Sequence, residues 1–191
     1  MKKLLSIAIQ TAIEAGAEIM KIYANDFQVE LKSDNSPLTM ADQNANTVIN
    51  SYLIKTNIPI ISEENKQTDF EERKNWTSFF LVDPLDGTKE FIKRNGDFTV
   101  NIALVEDQKI ILGVVYIPVT NKCYFAFKDG GAHEYISAGN YKKLEAVPFS
   151  KTDEGLKFVC SRSHLSEETK NYVNQFNKPE FVSRGSSLKF L

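Results

Sequence analysis

The stretch FFLVDPLDGT, residues 79–88, gives the strongest indication of the fold. Its first four residues form an apolar run, which predicts a buried strand. Asp83 stands at the end of that strand, where α/β proteins tend to place ligands, and Asp86 follows across a tight turn. Gly87 allows a ligand to approach the backbone closely, and Thr88 begins a short predicted helix. The stretch therefore predicts a strand, a turn and a helix that present two carboxylates together.

These two carboxylates predict a metal site. Held this closely, they repel each other unless a cation lies between them. Carboxylate and carbonyl oxygens are hard ligands, which favour Mg²⁺ or Mn²⁺ over zinc. The free N–H groups at the start of the helix form a site for phosphate. The alternative is an ordinary Asx-type turn followed by a capped helix, because Asp and Gly are common turn residues.

The residues before this stretch contain two predicted helices and a short strand. Apolar residues at helical spacing predict an amphipathic helix over residues 2–23, and Thr39 is the predicted N-cap of a second helix. Asp42 lies in the first turn of that helix, where an acid ordinarily complements the helix dipole. Residues 59–62 form a predicted buried strand that ends at two glutamates, which are solvated loop residues in the simplest interpretation.

The residues after the stretch change from a β-rich pattern to an alternating one. Three β-rich runs over residues 98–127 predict an antiparallel meander, which the turn signal at residues 128–131 ends. A second unit follows, with a strand, a helix and a strand predicted at residues 157–160, 166–176 and 180–183. We therefore expect an N-terminal α+β domain over residues 1–150 and the start of an α/β domain over residues 151–191.

The composition indicates a soluble globular protein. Of the 191 residues, 42% are hydrophobic and 25% are charged, with a net charge of −2. No basic block or basic aromatic stripe is present, which argues against a nucleic-acid polymer as a partner. Cys123 and Cys160 lie far apart without metal-ligand spacing, as expected of reduced thiols. No apolar run approaches the ~20 residues of a membrane span. The predicted location is the cytoplasm, either free or peripheral at the inner membrane.

Several motifs resemble those of the inositol monophosphatase superfamily of metal-dependent, lithium-sensitive phosphatases. The two signatures are SEE at residues 62–64 and LVDPLDGTKEF at residues 81–91. The trio Lys-Glu-Phe at the end of the second signature resembles the CysQ-type 3′(2′),5′-bisphosphate nucleotidases, whereas inositol monophosphatases more often carry Thr-Asn or Ser-Asn there. The same resemblance extends to residues 33–43, 92–104, 111–119, 161–164 and 185–190.

The resemblance implies a layered α+β / α/β sugar-phosphatase fold and a set of metal ligands. These ligands are the carboxylates of Glu64, Asp83 and Asp86 and the main-chain carbonyl of Leu85. They are expected to hold two or three Mg²⁺ ions, with Mn²⁺ as an alternative. Gly87 and Thr88 are then expected to hold the scissile phosphate. The resemblance also implies that Thr88 shares the nucleophilic water with Asp42 and that Asp42 is the proton acceptor.

The resemblance also implies contacts to a small phosphorylated nucleotide in the second unit. The residues at the matching positions are Ser161, His164, Ser186 and Lys189. Lys189 is expected to pair with the non-scissile phosphate. For His164 the alternative is that it caps the following helix together with Ser166. His133 matches no family position and is a predicted loop histidine.

The predicted function is removal of the 3′-phosphate from adenosine 3′,5′-bisphosphate by an Mg²⁺-dependent phosphatase, giving AMP and phosphate. An inositol monophosphatase or a sugar-bisphosphate phosphatase is the alternative within the same class. The alternative of another class is a protein that binds metal or nucleotide and hydrolyses nothing. The family has a further W-D-x-x-A-G signature, absent from residues 1–191, whose Asp completes the metal site. We therefore expect an incomplete second domain, poor binding of the second metal and slow turnover by this chain.

Overall fold

The computed structural model describes residues 1–25, 37–162 and 165–191, with the backbone alone for Pro37 and Leu38. The α-helices in these ranges are α1 (Lys2–Tyr23), α2 (Pro37–Leu53), α3 (Phe70–Arg73), α4 (Thr88–Ile92) and α5 (Glu167–Val173). The strands are β1 (Ile60–Ser62), β2 (Ser78–Asp86), β3 (Thr99–Glu106), β4 (Lys109–Ile117), β5 (Lys122–Phe127), β6 (Gly131–Ser137), β7 (Asn140–Lys143), β8 (Lys157–Ser161) and β9 (Glu180–Arg184). Short 3₁₀ turns cover Ile54–Thr56, Pro118–Thr120 and Ser186–Phe190.

Two sheets contain these strands. The larger sheet has seven strands in sequence order, β1 to β7, and only β1 and β2 are parallel in it. The smaller sheet pairs β8 with β9 in parallel, with α5 as the connection between them. Parallel pairing requires such a crossover, because a tight turn can join only antiparallel strands.

Helices α1 and α2 pack together and against the larger sheet, where the core lies. The core-facing residues of α1 are mostly small, which brings the helix close to the sheet, and Gly16 is the extreme case. A Cβ atom at Gly16 would lie 2.3 Å from Cε1 of Tyr116 on β4. The larger side chains of the sheet fill the space, and Phe80, Val100, Ile102 and Leu112 are almost fully buried. Burial of each contributes about 1.5–3 kcal/mol of transfer free energy.

A cluster of aromatic rings supports the short helix α4. Phe91 and Phe98 are completely buried, and their ring centroids lie 5.4 Å apart in an edge-to-face arrangement. The ring of Tyr23, at the end of α1, lies 5.2 Å from Phe91 and 4.9 Å from Phe98. A five-residue helix is not stable by itself, so this packing fixes the position of α4.

The structure corrects four expectations. Helix α2 begins at Pro37, so Thr39 lies inside the helix and is not its N-cap, and Asp42 lies beyond the first turn. The meander does not end at the turn at residues 128–131, because β6 and β7 extend it. His133 is not a loop residue: it lies on β6, is 6% exposed and stacks on Phe125 with a centroid distance of 5.1 Å. Helix α5 ends at Val173, earlier than predicted.

Two further expectations concern the thiols and the membrane. Cys123 and Cys160 are both buried and both free, as predicted. Burial raises the pKa of the Cys123 thiol to about 12. In the described parts of the chain, no helix has both the length and the apolar character that crossing a membrane requires.

Candidate active site

Strand β2 carries two acids on the same face because it contains a bulge. Asp83 pairs with Asn101 of β3, and the next pair joins Asp86 to Thr99. Three steps along β2 therefore match two steps along β3, which means that β2 has one extra residue. Thr99 and Asn101 are two residues apart and share a face, so Asp83 and Asp86 opposite them share it too. The bulge thus places both carboxylates at one edge of the site.

Gly87 connects the bulged strand to α4 with a left-handed backbone, at φ +99°. A residue with a Cβ atom is strained in this region. It would also lack space, because that Cβ would lie 2.9 Å from the carbonyl oxygen of Asp97 and 3.1 Å from Cβ of Ser186. Helix α4 then starts at Thr88, whose side chain is exposed. Gly87 is therefore required for both the turn and the close packing around it.

The turn after β1 brings the two glutamates of the site next to Asp83. Strands β1 and β2 are parallel neighbours, and the N–H of Glu63 donates to the carbonyl of Val82 at 3.3 Å. Ser62 donates to Oδ1 of Asn46 on α2 at 2.7 Å. Asn46 in turn donates to Oδ1 of Asn65, which follows the glutamates, at 2.9 Å. This network fixes the turn on α2.

Asp42 lies one helical turn before Asn46 on α2 and contacts Glu64. Burial, followed by the charges of Glu64 and Asp83, raises the pKa of Asp42 to about 8. Burial, followed by the charge of Asp86, raises the pKa of Asp83 to about 7. One carboxylate oxygen of each, Oδ1, is buried and has no hydrogen-bond partner among the residues that the structure describes.

Asp86 differs from these two acids because hydrogen bonds surround its Oδ2 atom. Ser186 and Ser187 donate through their hydroxyls at 2.5 and 2.7 Å, and the backbone N–H of Ser187 donates at 2.8 Å. Thr99 and Asn101 add longer contacts of 3.4 and 3.3 Å. Burial alone would raise the pKa of Asp86, but these hydrogen bonds lower it below its ordinary value. Asp86 is therefore a carboxylate at neutral pH.

The donor set fits a hard divalent cation in its chemistry. All its atoms are oxygens, and the two unpartnered buried carboxylate oxygens of Asp42 and Asp83 are the kind of atom that a cation would satisfy. Within residues 1–25, 37–162 and 165–191, however, no three His, Cys, Asp or Glu side chains stand in a geometry that could hold a metal ion by themselves. Further ligands such as carbonyl oxygens and waters are therefore needed to complete the coordination.

The predicted site residues fall into two groups in the structure. One group lies around the carboxyl ends of β1 and β2 and consists of Asp42, Glu64, Asp83, Asp86, Gly87 and Thr88. The side chain of Leu85 is buried in the core, and its backbone hydrogen bonds to the Asp83 carboxylate.

The other group lies at the end of β8 and in the 3₁₀ turn after β9. Ser161 ends β8, Ser186 faces Asp86, and Nζ of Lys189 donates to the carbonyl of Ser186 at 2.7 Å. His164 lies outside the described residues.

Sequence reasoning missed the polar residues that support the acids. These are Asn46, Asp97, Thr99, Asn101 and Ser187. A signal existed for some of them. Asp42, Asn46 and Asn50 recur every four residues on a helix, and Thr99 and Asn101 alternate with buried apolar residues on a strand. In both patterns, polar residues repeat with the period of the helix or strand on a face next to buried residues, and this repetition was the available signal.

Comparisons with known proteins agree with this architecture. The sequence pattern of the inositol monophosphatase family matches residues 1–190. The chain belongs to this family. It is 44% identical to the 3′(2′),5′-bisphosphate nucleotidase CysQ of Buchnera aphidicola over 99% of this chain and 71% of that protein. The CysQ of Escherichia coli K12 is also 44% identical, over 98% of this chain and 75% of its own length.

A solved structure shows the same fold. The crystal structure of CysQ from Bacteroides thetaiotaomicron, a bacterial member of the inositol monophosphatase family, superposes with a TM-score of 0.86 at 37% identity. The match covers 99% of this chain and 75% of that one. The predicted layered α/β fold is confirmed, and the chain is a phosphatase of the inositol monophosphatase family. Enzymes of this family are generally metal-dependent.

Proposed function

We propose that this protein is an Mg²⁺-dependent 3′(2′),5′-bisphosphate nucleotidase that hydrolyses adenosine 3′,5′-bisphosphate to AMP and phosphate. The observation that carries the proposal is the cluster of acids, Asp42, Glu64, Asp83 and Asp86, beside the Gly87 turn. Four acids this close together repel an anion unless cations are present. The substrate class comes from the relatives, which carry this name at 44% identity.

The metal ligands in this proposal are Glu64, Asp83, Asp86 and the carbonyl of Leu85. Bound Mg²⁺ supplies charge neutralisation at the phosphate and lowers the pKa of a bound water. The protein contributes the positions of these groups. The bulge aligns Asp83 with Asp86, and the Asn46 network holds the turn that carries Glu64. Phosphoryl transfer needs mainly such positioning and neutralisation.

In this proposal, Asp42 and Thr88 position and activate the attacking water. The Asp42 carboxyl keeps its proton up to a pKa of about 8 in the structure, chiefly because of burial and then because of its acidic neighbours. Neutralisation of these neighbours lowers that pKa, so that Asp42 becomes a proton acceptor at neutral pH. Thr88, exposed at the start of α4, can accept a hydrogen bond from the water or donate one to the phosphate through its hydroxyl. Gly87 would contact the phosphate through its backbone.

The second unit would bind the nucleotide. Lys189 provides a cation for the non-scissile phosphate, and Ser161, His164 and Ser186 provide further polar contacts. The Nζ atom of Lys189 donates to the carbonyl of Ser186, and the hydroxyl of the same serine donates to Asp86. We also place the protein in the cytoplasm, since both of its cysteines are free thiols.

A phosphate-release assay tests the proposal. Adenosine 3′,5′-bisphosphate, inositol 1-phosphate and fructose 1,6-bisphosphate are compared at equal concentration over an Mg²⁺ titration. We expect the nucleotide to be the best substrate and EDTA to abolish its hydrolysis. Faster turnover of inositol 1-phosphate or of the sugar bisphosphate would contradict the nucleotide assignment. Calorimetric binding of the nucleotide without any release of phosphate would contradict the enzymatic one.

A further inference from the structure

Asp97 is a buried acid that connects the two sheets. It lies in the loop between α4 and β3, and its side chain is 7% exposed. Its Oδ2 atom accepts hydrogen bonds from the guanidinium of Arg162 at 2.6 Å and from the N–H of Gly185 at 3.0 Å. The guanidinium of Arg184 lies 3.7 Å from Oδ1. Arg162 directly follows β8 and Gly185 directly follows β9, so one carboxylate holds the ends of both strands.

The residues next to Gly185 are the ones that contact Asp86. Ser186 and Ser187 supply three hydrogen bonds of 2.5–2.8 Å to Oδ2 of Asp86. Ser186 is also within 2.8 Å of the Thr99 hydroxyl. A continuous chain of contacts therefore leads from Asp97 through the Gly185–Ser187 turn to Asp86.

The Gly185–Ser187 turn has little room to move toward the first sheet. A Cβ atom at Gly185 would lie 2.4 Å from Cγ of Glu90, a buried residue of α4. On the other side, a Cβ atom at Gly87 would lie 3.1 Å from Cβ of Ser186. The Gly185–Ser187 turn thus packs against α4 and against the Gly87 turn. The hydrogen bond from Gly185 to Asp97 holds it in this position.

We propose that Asp97 is a positioning residue for the metal site, because it holds the Gly185–Ser187 turn on Asp86. The turn orients the Asp86 carboxylate by engaging Oδ2, which directs the other oxygen toward the cation. Hydrogen bonds from a neighbouring shell typically change metal affinity by about 10–100-fold. This inference rests on the proposed role of Asp86 as a metal ligand.

The test is a substitution that keeps the shape of the side chain. Asp97→Asn can still accept from the Gly185 N–H, but it removes the negative charge that Arg162 and Arg184 face. We expect Mn²⁺ binding, measured by electron paramagnetic resonance, to weaken about tenfold. The Mg²⁺ concentration for half-maximal activity should rise by a similar factor, while kcat at saturating Mg²⁺ changes less. Asp97→Glu restores the charge and should recover most of the affinity.

A matched control removes a carboxylate from another ion pair of the second unit. Glu154 accepts from Nζ of Lys178 at 2.7 Å on the surface, and Glu154→Gln should leave Mn²⁺ binding unchanged. If Asp97→Asn does not fold, as judged by circular dichroism, Arg162→Gln removes the guanidinium that donates to Asp97 and should weaken binding in the same direction. Wild-type Mn²⁺ affinity in a folded Asp97→Asn or Arg162→Gln variant would overturn the proposal.

Asp86→Asn separates this proposal from the one on which it rests. If Asp86→Asn loses Mn²⁺ binding while Asp97→Asn retains it, the positioning role is wrong and the metal role of Asp86 stands. If Asp86→Asn binds Mn²⁺ as tightly as the wild-type protein, Asp86 is not a ligand and both proposals fail.

Discussion

The two sheets contribute to the site in different ways. Four of the nine residues of β2 are buried, whereas only Cys160 is buried among the ten residues of β8 and β9. The acids at the end of β2 are therefore placed by a packed core. The second sheet reaches the site through hydrogen bonds and ion pairs to Asp86 and Asp97. Packing thus positions the acids at the end of β2, whereas polar contacts from the second unit hold the Asp86 carboxylate.

Asp83→Asn should have the largest effect on activity. It removes a charge from the proposed metal site without changing the size of the side chain. We expect kcat/KM for adenosine 3′,5′-bisphosphate to fall by about 1,000-fold or more, as is typical when a group that stabilises transition-state charge is lost. The matched control is Asp107→Asn in the exposed turn between β3 and β4, which should retain full activity. Activity within tenfold of wild type in Asp83→Asn would contradict the metal role.

Asp42→Asn should reduce activity by about 100-fold, as expected for loss of a general base. The fall should appear in kcat, because Asp42 is proposed to act on water and not on the nucleotide. Mn²⁺ affinity should change far less than it does in Asp83→Asn. Steady-state kinetics and Mn²⁺ titration together measure the two effects. Asp129→Asn, in the exposed turn between β5 and β6, is the control. An unchanged kcat in Asp42→Asn would exclude the proposed role.

Lys189→Ala should have a moderate effect that is confined to substrate binding. Loss of one charge-assisted contact to phosphate should raise KM for the bisphosphate about tenfold. Hydrolysis of adenosine 3′-monophosphate, which lacks the second phosphate, should change little. Lys142→Ala on the exposed strand β7 serves as the control. An equal loss for both substrates would mean that Lys189 acts on the scissile phosphate or on the fold.

The smallest expected effect is a pH dependence of stability in the metal-free protein. The pKa values of Asp42 and Asp83, about 8 and about 7, lie above those of the unfolded chain. The folded protein therefore binds more protons between about pH 4 and pH 8, and its stability falls as the pH rises through this range. The lowered pKa of Asp86 makes stability rise with pH, but only in more acidic solution, where this carboxyl group titrates.

Thermal melting in EDTA should therefore show a Tm that decreases by a few degrees from about pH 5 to pH 8. Mg²⁺ should raise the Tm most at the upper end of this range, because the cation balances the ionised acids. A Tm that rises with pH in EDTA would show that burial and the neighbouring acids do not raise these two pKa values.

The sequence allowed prediction of the elements whose signals are local. Helix α1, strand β2 and the acids at residues 83 and 86 follow from apolar periodicity and from one short motif. The bulge could not be predicted, because it is defined by pairing with β3 and leaves no local signal. Asp97 was missed for the same reason, since its partners lie 65 and 88 residues away.

Tertiary context also explains the wrong predictions. The turn signal at residues 128–131 was correct as a turn, but strands follow it whose residues are mostly exposed and therefore lack an apolar pattern. His133 is buried because aromatic side chains of β5 and β7 surround it, which its own neighbours in sequence do not reveal.

The bulge in β2 has a consequence for parity. In a regular strand, an odd separation sends two side chains to opposite faces and an even one keeps them together. Asp83 and Asp86 are three residues apart, which is an odd separation. The extra residue of the bulge makes this separation equivalent to two steps along β3. Deletion of either residue between them would remove the bulge without removing an acid. Such a variant would retain every carboxylate of the site. Its two aspartates would be two residues apart, so they would share a face without a bulge. The turn at Gly87 would, however, begin one residue too early relative to β3.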